Sequence, residues 1–147
     1  MNSQCTAIAA YAIATLCSKP PPYTRDILDE ILEEGDKYYH DVRRDAGFLT
    51  PDELSAPIQV QKRRISLIVD ICGGGLFDEK VDGNLRIVIK NSLDTYVDHK
   101  GNCGFMFVGH SKSVSFVPLP DTKFLFFNSH CVDSNNRVFF CYCKGCS

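Results

Sequence analysis

The fold is decided near the start of the chain by the run Cys5-Thr-Ala-Ile-Ala-Ala-Tyr-Ala-Ile-Ala-Thr-Leu-Cys17, which is rich in alanine and apolar nearly all round. Such a run is typical of a helix that is buried on every side. The segment Ser18-Lys19-Pro20-Pro21-Pro22 ends it, because proline lacks the backbone N–H that a helix interior needs. The sequence therefore predicts a central helix with Cys5 in its first turn and with Asn2 or Ser3 as its cap.

A second, amphipathic helix is predicted after the prolines, with Thr24 as its cap. Its apolar residues recur at the three-to-four spacing of one helical face: Ile27, Leu28, Ile31, Leu32, Tyr38, Tyr39 and Val42. Acidic residues fall early in this segment and Arg43 and Arg44 fall late, as the helix dipole favours. A short helix is predicted to begin at Thr50-Pro51 and to end at Pro57.

The rest of the chain has the texture of β-structure, in which β-branched and aromatic runs alternate with turn residues. One short helix, Asn91–Asp98, interrupts it. The predicted strands are Ser66–Ile71, Leu85–Ile89, Gly104–Val108, Ser113–Val117, Lys123–Asn128 and Arg137–Cys141. Helices first and an antiparallel sheet afterwards indicate an α+β fold.

Composition and charge limit the function classes. The chain has 147 residues, 44% of them hydrophobic, which predicts one domain over residues 1–147. A formal net charge of -2 gives no general attraction to nucleic acid or to anionic lipid. The longest early uncharged stretch, Cys5–Ser18, is too short to span a bilayer and lacks the basic segment of a signal peptide. We expect a monomeric cytoplasmic or nuclear protein with no membrane partner and with reduced cysteines.

Cys5 is a candidate nucleophile because of its predicted position. The backbone dipoles at the start of a helix stabilise a thiolate, which is the reactive form of cysteine. The alternative is a small buried residue that lies near a helix terminus by chance.

A thiolate enzyme also needs a proton shuttle and a group that orients it. Among the four histidines, His40 lies in a charged helix, and His99 and His110 lie in predicted turns. His130 follows the apolar strand Phe124-Leu-Phe-Phe127, at an end where a polar side chain can enter a cleft. Asn128 stands two positions earlier and so projects to the same side of an extended strand, where its amide oxygen can accept the Nδ1 proton of His130. Cysteine, histidine and asparagine are the residue set of papain-like proteases.

Three further motifs carry a resemblance to a known family. Gln4-Cys5-Thr6-Ala7 opens an alanine-rich helix, and Leu28-Asp-Glu-Ile-Leu-Glu-Glu-Gly-Asp-Lys-Tyr-Tyr39 lies in the next helix. Ser113-Val-Ser-Phe-Val-Pro118 is followed by Phe126-Phe-Asn-Ser-His130. Together these motifs resemble the deubiquitinase domain of herpesvirus large tegument proteins, and still more the tegument-like deubiquitinases of bacteria and eukaryotes. The resemblance extends from Gln4 to about Asn136.

The resemblance implies a papain-like cysteine protease that cuts the bond after the C-terminal glycine of ubiquitin and needs no cofactor. It implies that Cys5 is the nucleophile, that His130 is the general base and acid, and that Asn128 orients the histidine. The family usually has aspartate at the last position, and asparagine fixes the imidazole tautomer without adding a negative charge. An oxyanion-hole glutamine often precedes the nucleophile in this superfamily, and Gln4 is the one candidate here beside the Cys5 backbone amide.

The partner expected from the resemblance is ubiquitin or a polyubiquitin chain. Its tail ends in two glycines, so Gly104, Gly109 and the loop Gly73-Gly74-Gly75 are candidate walls of a narrow channel, or else simply turn residues.

Two other functions are compatible with the sequence. Cys141, Cys143 and Cys146 near the C-terminus, with Cys131 or His130 as a fourth ligand, would form the zinc site of a zinc-stabilised binding module, in which Cys5 is only a core residue. The asparagine at position 128 also permits a catalytically weak ubiquitin-binding domain.

Overall fold

The computed structural model describes residues 4–19, 22–43, 47, 49–54, 57–69, 90, 103–109, 112–119, 123–132 and 138–144. For residues 119, 123, 124, 131, 132 and 138–144 the description covers the backbone only. Within these ranges no helix is both long and apolar enough to cross a membrane.

The predicted central helix is confirmed as α1, Cys5–Ser18. Its alanines at positions 7, 9, 10, 12 and 14 are all buried, as are Tyr11 and Leu16, so the helix is enclosed on most of its circumference. The N-cap position is occupied by Gln4 and not by the predicted Asn2 or Ser3, both of which lie outside the described residues. The helix ends before the prolines, where the Lys19 N–H still donates to the Thr15 carbonyl.

The second predicted helix is confirmed as α2, Arg25–Val42, and it packs along α1. Thr24 occupies the predicted N-cap position, but its side chain makes no capping hydrogen bond. The buried face of α2 contains Leu28, Ile31, Tyr38 and Tyr39. Gly35 permits close contact between the helices, since a Cβ atom on it would lie 2.9 Å from the Ile8 Cα atom.

The region after α2 differs from the prediction. A short 3₁₀ helix, Pro51–Glu53, begins with proline as expected, but its C-cap is Leu54, so it ends before the predicted Pro57. Two three-residue strands, β1 (Ile58–Val60) and β2 (Arg63–Ile65), then form an antiparallel hairpin that the sequence analysis missed. The predicted strand Ser66–Ile71 is wrong for residues 66–69, which have no regular structure and leave Ile68 92% exposed.

The last part of the chain forms a four-stranded antiparallel sheet in the order β3-β4-β5-β6. The strands are β3 (Phe105–Gly109), β4 (Lys112–Leu119), β5 (Lys123–Val132) and β6 (Val138–Lys144), which confirms four of the predicted strands. Strand β5 extends beyond its predicted end at Asn128, so His130 lies within the strand and not after it. The predicted strand Leu85–Ile89 and helix Asn91–Asp98 lie outside the described residues.

The sheet packs against α1 through one face. Strand β4 contributes Ser113, Ser115 and Val117 to this face, and β5 contributes Leu125 and Phe127, all of them 2% exposed or less. Ser115 stands opposite Phe127 in the ladder, and its hydroxyl donates to the Ala9 carbonyl of α1 at 2.8 Å. In the described ranges, α1, α2 and the antiparallel sheets make the fold α+β, as predicted.

Candidate active site

Cys5 is the first residue of α1, as predicted, and its side chain is 5% exposed. Its sulfur lies 3.8 Å from the Ser113 hydroxyl oxygen, close to the start of β4. The Thr6 hydroxyl is 2.8 Å from the same Ser113 oxygen, and either group can be the donor. The thiol therefore lies at the start of α1 and contacts strand β4 of the sheet.

The first turn of α1 also presents backbone N–H groups that have no carbonyl partner within the helix. Gln4 at the N-cap has helical backbone angles of φ -85° and ψ -9°, and its side chain makes no capping hydrogen bond. The positive end of the helix dipole lies at Cys5, which is favourable for a thiolate and for a developing oxyanion. The roles of Gln4 and of the Cys5 amide as oxyanion donors stay predictions.

His130 lies in β5, next to β4 in the sheet. Its Nε2 atom is buried and meets no hydrogen-bond partner among the residues that the structure describes. Burial lowers the pKa of His130 below its ordinary value, and the positive charge of Lys112 lowers it further. Both effects favour the neutral ring, which is the state that a general base requires.

Asn128 interacts with His130 through the backbone. Its Oδ1 atom accepts a hydrogen bond from the His130 N–H at 2.9 Å. This bond from an asparagine to the amide two residues later is a local motif that competes with longer-range partners. The predicted hydrogen bond runs from the imidazole Nδ1–H to this oxygen, whereas this bond comes from the His130 backbone N–H. The role of Asn128 in orienting the His130 ring therefore stays a prediction.

The pairing of the strands relates the two halves of the site. With Ser115 opposite Phe127, continuing the same register brings the start of β4 alongside the segment from Asn128 to His130. The effect of the Lys112 charge on His130 agrees with that placement. The β5–β6 ladder changes register between Phe127 and Val132, so the regular alternation of faces is interrupted in the segment that contains His130.

The structure thus joins Cys5 with Ser113, and Asn128 with His130. Within the described part of the chain, His130 Nε2 makes no hydrogen bond, so the thiol is not coupled to that nitrogen in this conformation. Ser113 and Thr6 were not among the predicted site residues. The signal that would have revealed Ser113 is the alternation Ser113-Val-Ser-Phe-Val117, in which small polar residues share the face that an alanine-rich helix covers.

The glycines proposed as channel walls have other neighbours. A Cβ atom on Gly104 would lie 2.5 Å from Ile13 Cγ2, so this glycine allows the chain to approach α1 closely. Gly109 is the last residue of β3, and a Cβ atom there would meet the Phe107 ring at 3.4 Å. The loop Gly73-Gly74-Gly75 lies outside the described residues.

The predicted zinc site lies outside what the structure describes, because it depends on the side chains of Cys131, Cys141, Cys143 and Cys146. Elsewhere, among the residues that are described, no three histidine, cysteine or acidic side chains form a group that can hold a metal ion. Two other described cysteines, Cys17 and Cys103, form no disulfide within the described part of the chain. Cys17 packs against the core, and burial raises its pKa to about 11, with a further contribution from Cys103.

No protein-family model matches the chain, and no curated protein sequence matches it.

Proposed function

We propose that this chain is a cysteine-type deubiquitinase of papain-like architecture, which hydrolyses the isopeptide bond after the C-terminal glycine of ubiquitin. The observation that carries the proposal is the position of Cys5. It is the first residue of a buried central helix, and that helix packs on the two strands from which Ser113 and His130 come. Papain-like proteases are defined by a thiol at a helix start and a histidine on the adjoining sheet.

The Nε2 atom of His130, which is buried and has no hydrogen-bond partner among the described side chains and backbone, also supports the proposal. A buried nitrogen without a hydrogen bond costs free energy, which a protein tolerates where the group has a functional partner to meet. Catalytic hydrogen bonds are often long or absent without substrate and tighten in the complex. In the proposed enzyme, the substrate tail brings the Cys5 thiol and His130 Nε2 into contact.

The chemistry follows from those two groups. His130 takes the thiol proton, and the Cys5 thiolate attacks the carbonyl carbon of the terminal glycine to form a tetrahedral oxyanion. The amides at the start of α1 stabilise this oxyanion. The intermediate collapses to a thioester as His130 gives its proton to the leaving lysine amine. Water that loses a proton to the same histidine then releases ubiquitin and restores the thiol.

Turnover of ubiquitin that carries a fluorogenic amide at its C-terminus tests the proposal. The variants Cys5→Ala and His130→Ala should each lose at least about a thousandfold in kcat/KM, since members of such a catalytic unit act together. The matched controls are Cys17→Ala, a partly buried cysteine on the same helix, and His40→Ala, an exposed histidine on α2. Both controls should keep wild-type turnover. Equal turnover in Cys5→Ala and Cys17→Ala would refute the proposal.

Asn128 provides a second, graded test. Replacing it with alanine removes the bond to the His130 N–H and any contact with the ring, so kcat should fall. Replacement with aspartate keeps an acceptor and adds a charge that favours the imidazolium, so kcat should be kept or raised. Unchanged kcat in Asn128→Ala would remove this residue from the proposed site while leaving Cys5 and His130 in it.

A further inference from the structure

A pair of buried hydroxyls lies beside the Cys5 sulfur. Ser113 is 1% exposed and Thr6 is 3% exposed, so neither side chain has ready access to bulk water. The Ser113 oxygen lies 3.8 Å from the Cys5 sulfur and 2.8 Å from the Thr6 hydroxyl oxygen. The three groups therefore form a short hydrogen-bonded chain that crosses from the start of α1 to β4 and back.

The direction of this chain can reverse. While Cys5 is a thiol, its S–H donates to the Ser113 oxygen, and the Ser113 O–H donates to Thr6. When the thiol loses its proton, the sulfur becomes an acceptor. The Ser113 O–H then rotates to donate to the sulfur, and the Thr6 O–H turns to donate to Ser113. In the thiolate state both hydroxyl protons are used within these three groups, whereas in the thiol state the Thr6 O–H has no acceptor among them. The only proton that leaves is the one on sulfur.

We propose that Ser113 is a thiolate-stabilising hydroxyl of the active site and that Thr6 is the positioning residue that allows Ser113 to donate. The proposal rests on the function proposed above, because it requires Cys5 to act as a thiolate. Its basis is geometric: a hydroxyl within reach of the sulfur, buried, and itself supported by a second hydroxyl. A hydrogen bond to a charged group in such a dry setting is stronger than one between neutral groups.

Ser115 provides a matched control for this proposal. Ser115 lies two residues along the same strand and on the same face, is fully buried, and also bonds to α1, through the Ala9 carbonyl at 2.8 Å. Ser113→Ala and Ser115→Ala therefore each remove one buried hydroxyl from the same interface. Only the first removes a group that contacts the sulfur. Thr6→Val and Thr6→Ser form a second pair, of which the first deletes the supporting hydroxyl and the second keeps it.

The experiment is alkylation of the folded protein with iodoacetamide over a range of pH, with the rate at each cysteine followed by peptide mass spectrometry. Cys103, which is partly exposed, is the internal reference. In Ser113→Ala, the rate of alkylation at Cys5 at pH 7 should fall about threefold to tenfold. Thr6→Val should lower this rate in the same way. Ser115→Ala and Thr6→Ser should stay within about twofold of wild type at pH 7.

The outcomes separate the two proposals. If Ser113→Ala matches wild type in its alkylation rate at Cys5, the role of Ser113 is refuted and the nucleophile is kept. If Ser113→Ala lowers that rate but Cys5→Ala keeps wild-type turnover of the ubiquitin substrate, the proposed function is refuted and the contact of Ser113 with the thiolate is kept. An equal fall in that rate in Ser113→Ala and Ser115→Ala would assign the effect to loosening of the α1–β4 interface and would also refute the specific role. Circular dichroism melts of each variant establish that the compared proteins are folded.

Discussion

The contact between α1 and α2 at Gly35 allows a prediction whose size follows from the structure. In Gly35→Ala the added Cβ atom would lie 2.9 Å from the Ile8 Cα atom and 3.1 Å from its Cγ1 atom. Ordinary carbon–carbon contact begins about half an ångström or more beyond these values. The nearest atom belongs to the backbone, so a change of side-chain rotamer cannot relieve the contact. The helices must separate, and α1 cannot move away because the sheet packs against it on the other side.

The magnitude is the difference between two opposing effects. Inserting a methyl group into a packed interface costs about 2 to 3 kcal/mol. Alanine in a helix interior is better than glycine by about 1 kcal/mol, which offsets part of that cost. The net loss in the free energy of unfolding should be about 1 to 2 kcal/mol, or a fall in Tm of about 3 to 8 °C for a domain of this size.

The assay is urea denaturation followed by circular dichroism, with Glu33→Ala as the control. Glu33 lies on the same helix but is exposed, so its replacement should change the unfolding free energy by less than about 0.5 kcal/mol. Adding Ile8→Ala to Gly35→Ala should not restore stability, because the closest clash is with the Ile8 backbone. A Gly35→Ala protein as stable as wild type, or more stable, would refute the close contact of α1 and α2.

Three further predictions concern groups around the site. In Gly104→Ala the clash is with the side chain of Ile13, so the double variant with Ile13→Ala should be less destabilised than the sum of the single variants, as measured in a denaturation cycle. Because the pKa of His130 is lowered, its ring gains a proton only below the usual pKa of about 6.5. In a plot of kcat/KM against pH, the fall on the acidic side should therefore lie below pH 6.5. In Lys112→Met this fall should shift to higher pH, because the positive charge of Lys112 is removed. NMR titration of the His130 ring should show the same shift, and a midpoint above 6.5 would contradict it. Because the pKa of Cys17 is raised to about 11, its thiolate at pH 8 is about a hundredfold rarer than that of an ordinary cysteine, so iodoacetamide should leave Cys17 unmodified in the folded protein and label it fully in urea.

The helices and the main sheet could be predicted because their signals are local. The alanine-rich run after Cys5 and the apolar spacing from Ile27 to Val42 each specify a helix without reference to the rest of the chain. The hairpin β1–β2 was missed because strands of three residues are too short to show alternation. Its turn also contains Gln61 at φ 55°, a backbone conformation that glutamine rarely adopts and that the sequence does not indicate.

The site was predicted in part for the same reason. The position of Cys5 follows from where α1 begins, which is a local property. Its contact with Ser113 spans more than a hundred residues of sequence and depends on how α1 packs on β4, which no local pattern specifies. The Asn128 Oδ1 atom accepts a hydrogen bond from the His130 backbone N–H, a contact that was not predicted, and the predicted bond with the His130 ring stays a prediction. Local side-chain to backbone bonds of this kind compete with predicted tertiary ones.

The most direct test of the central claim is the intact mass of the protein after incubation with ubiquitin that carries a thiol-reactive group at its C-terminus. The account predicts one ubiquitin attached to the wild-type chain, attachment also in Cys17→Ala, and none in Cys5→Ala. Peptide mapping should place the new bond on the Cys5 sulfur. A folded wild-type protein that forms no adduct, or an adduct that persists in Cys5→Ala, would contradict the assignment of this chain as a deubiquitinase that uses Cys5.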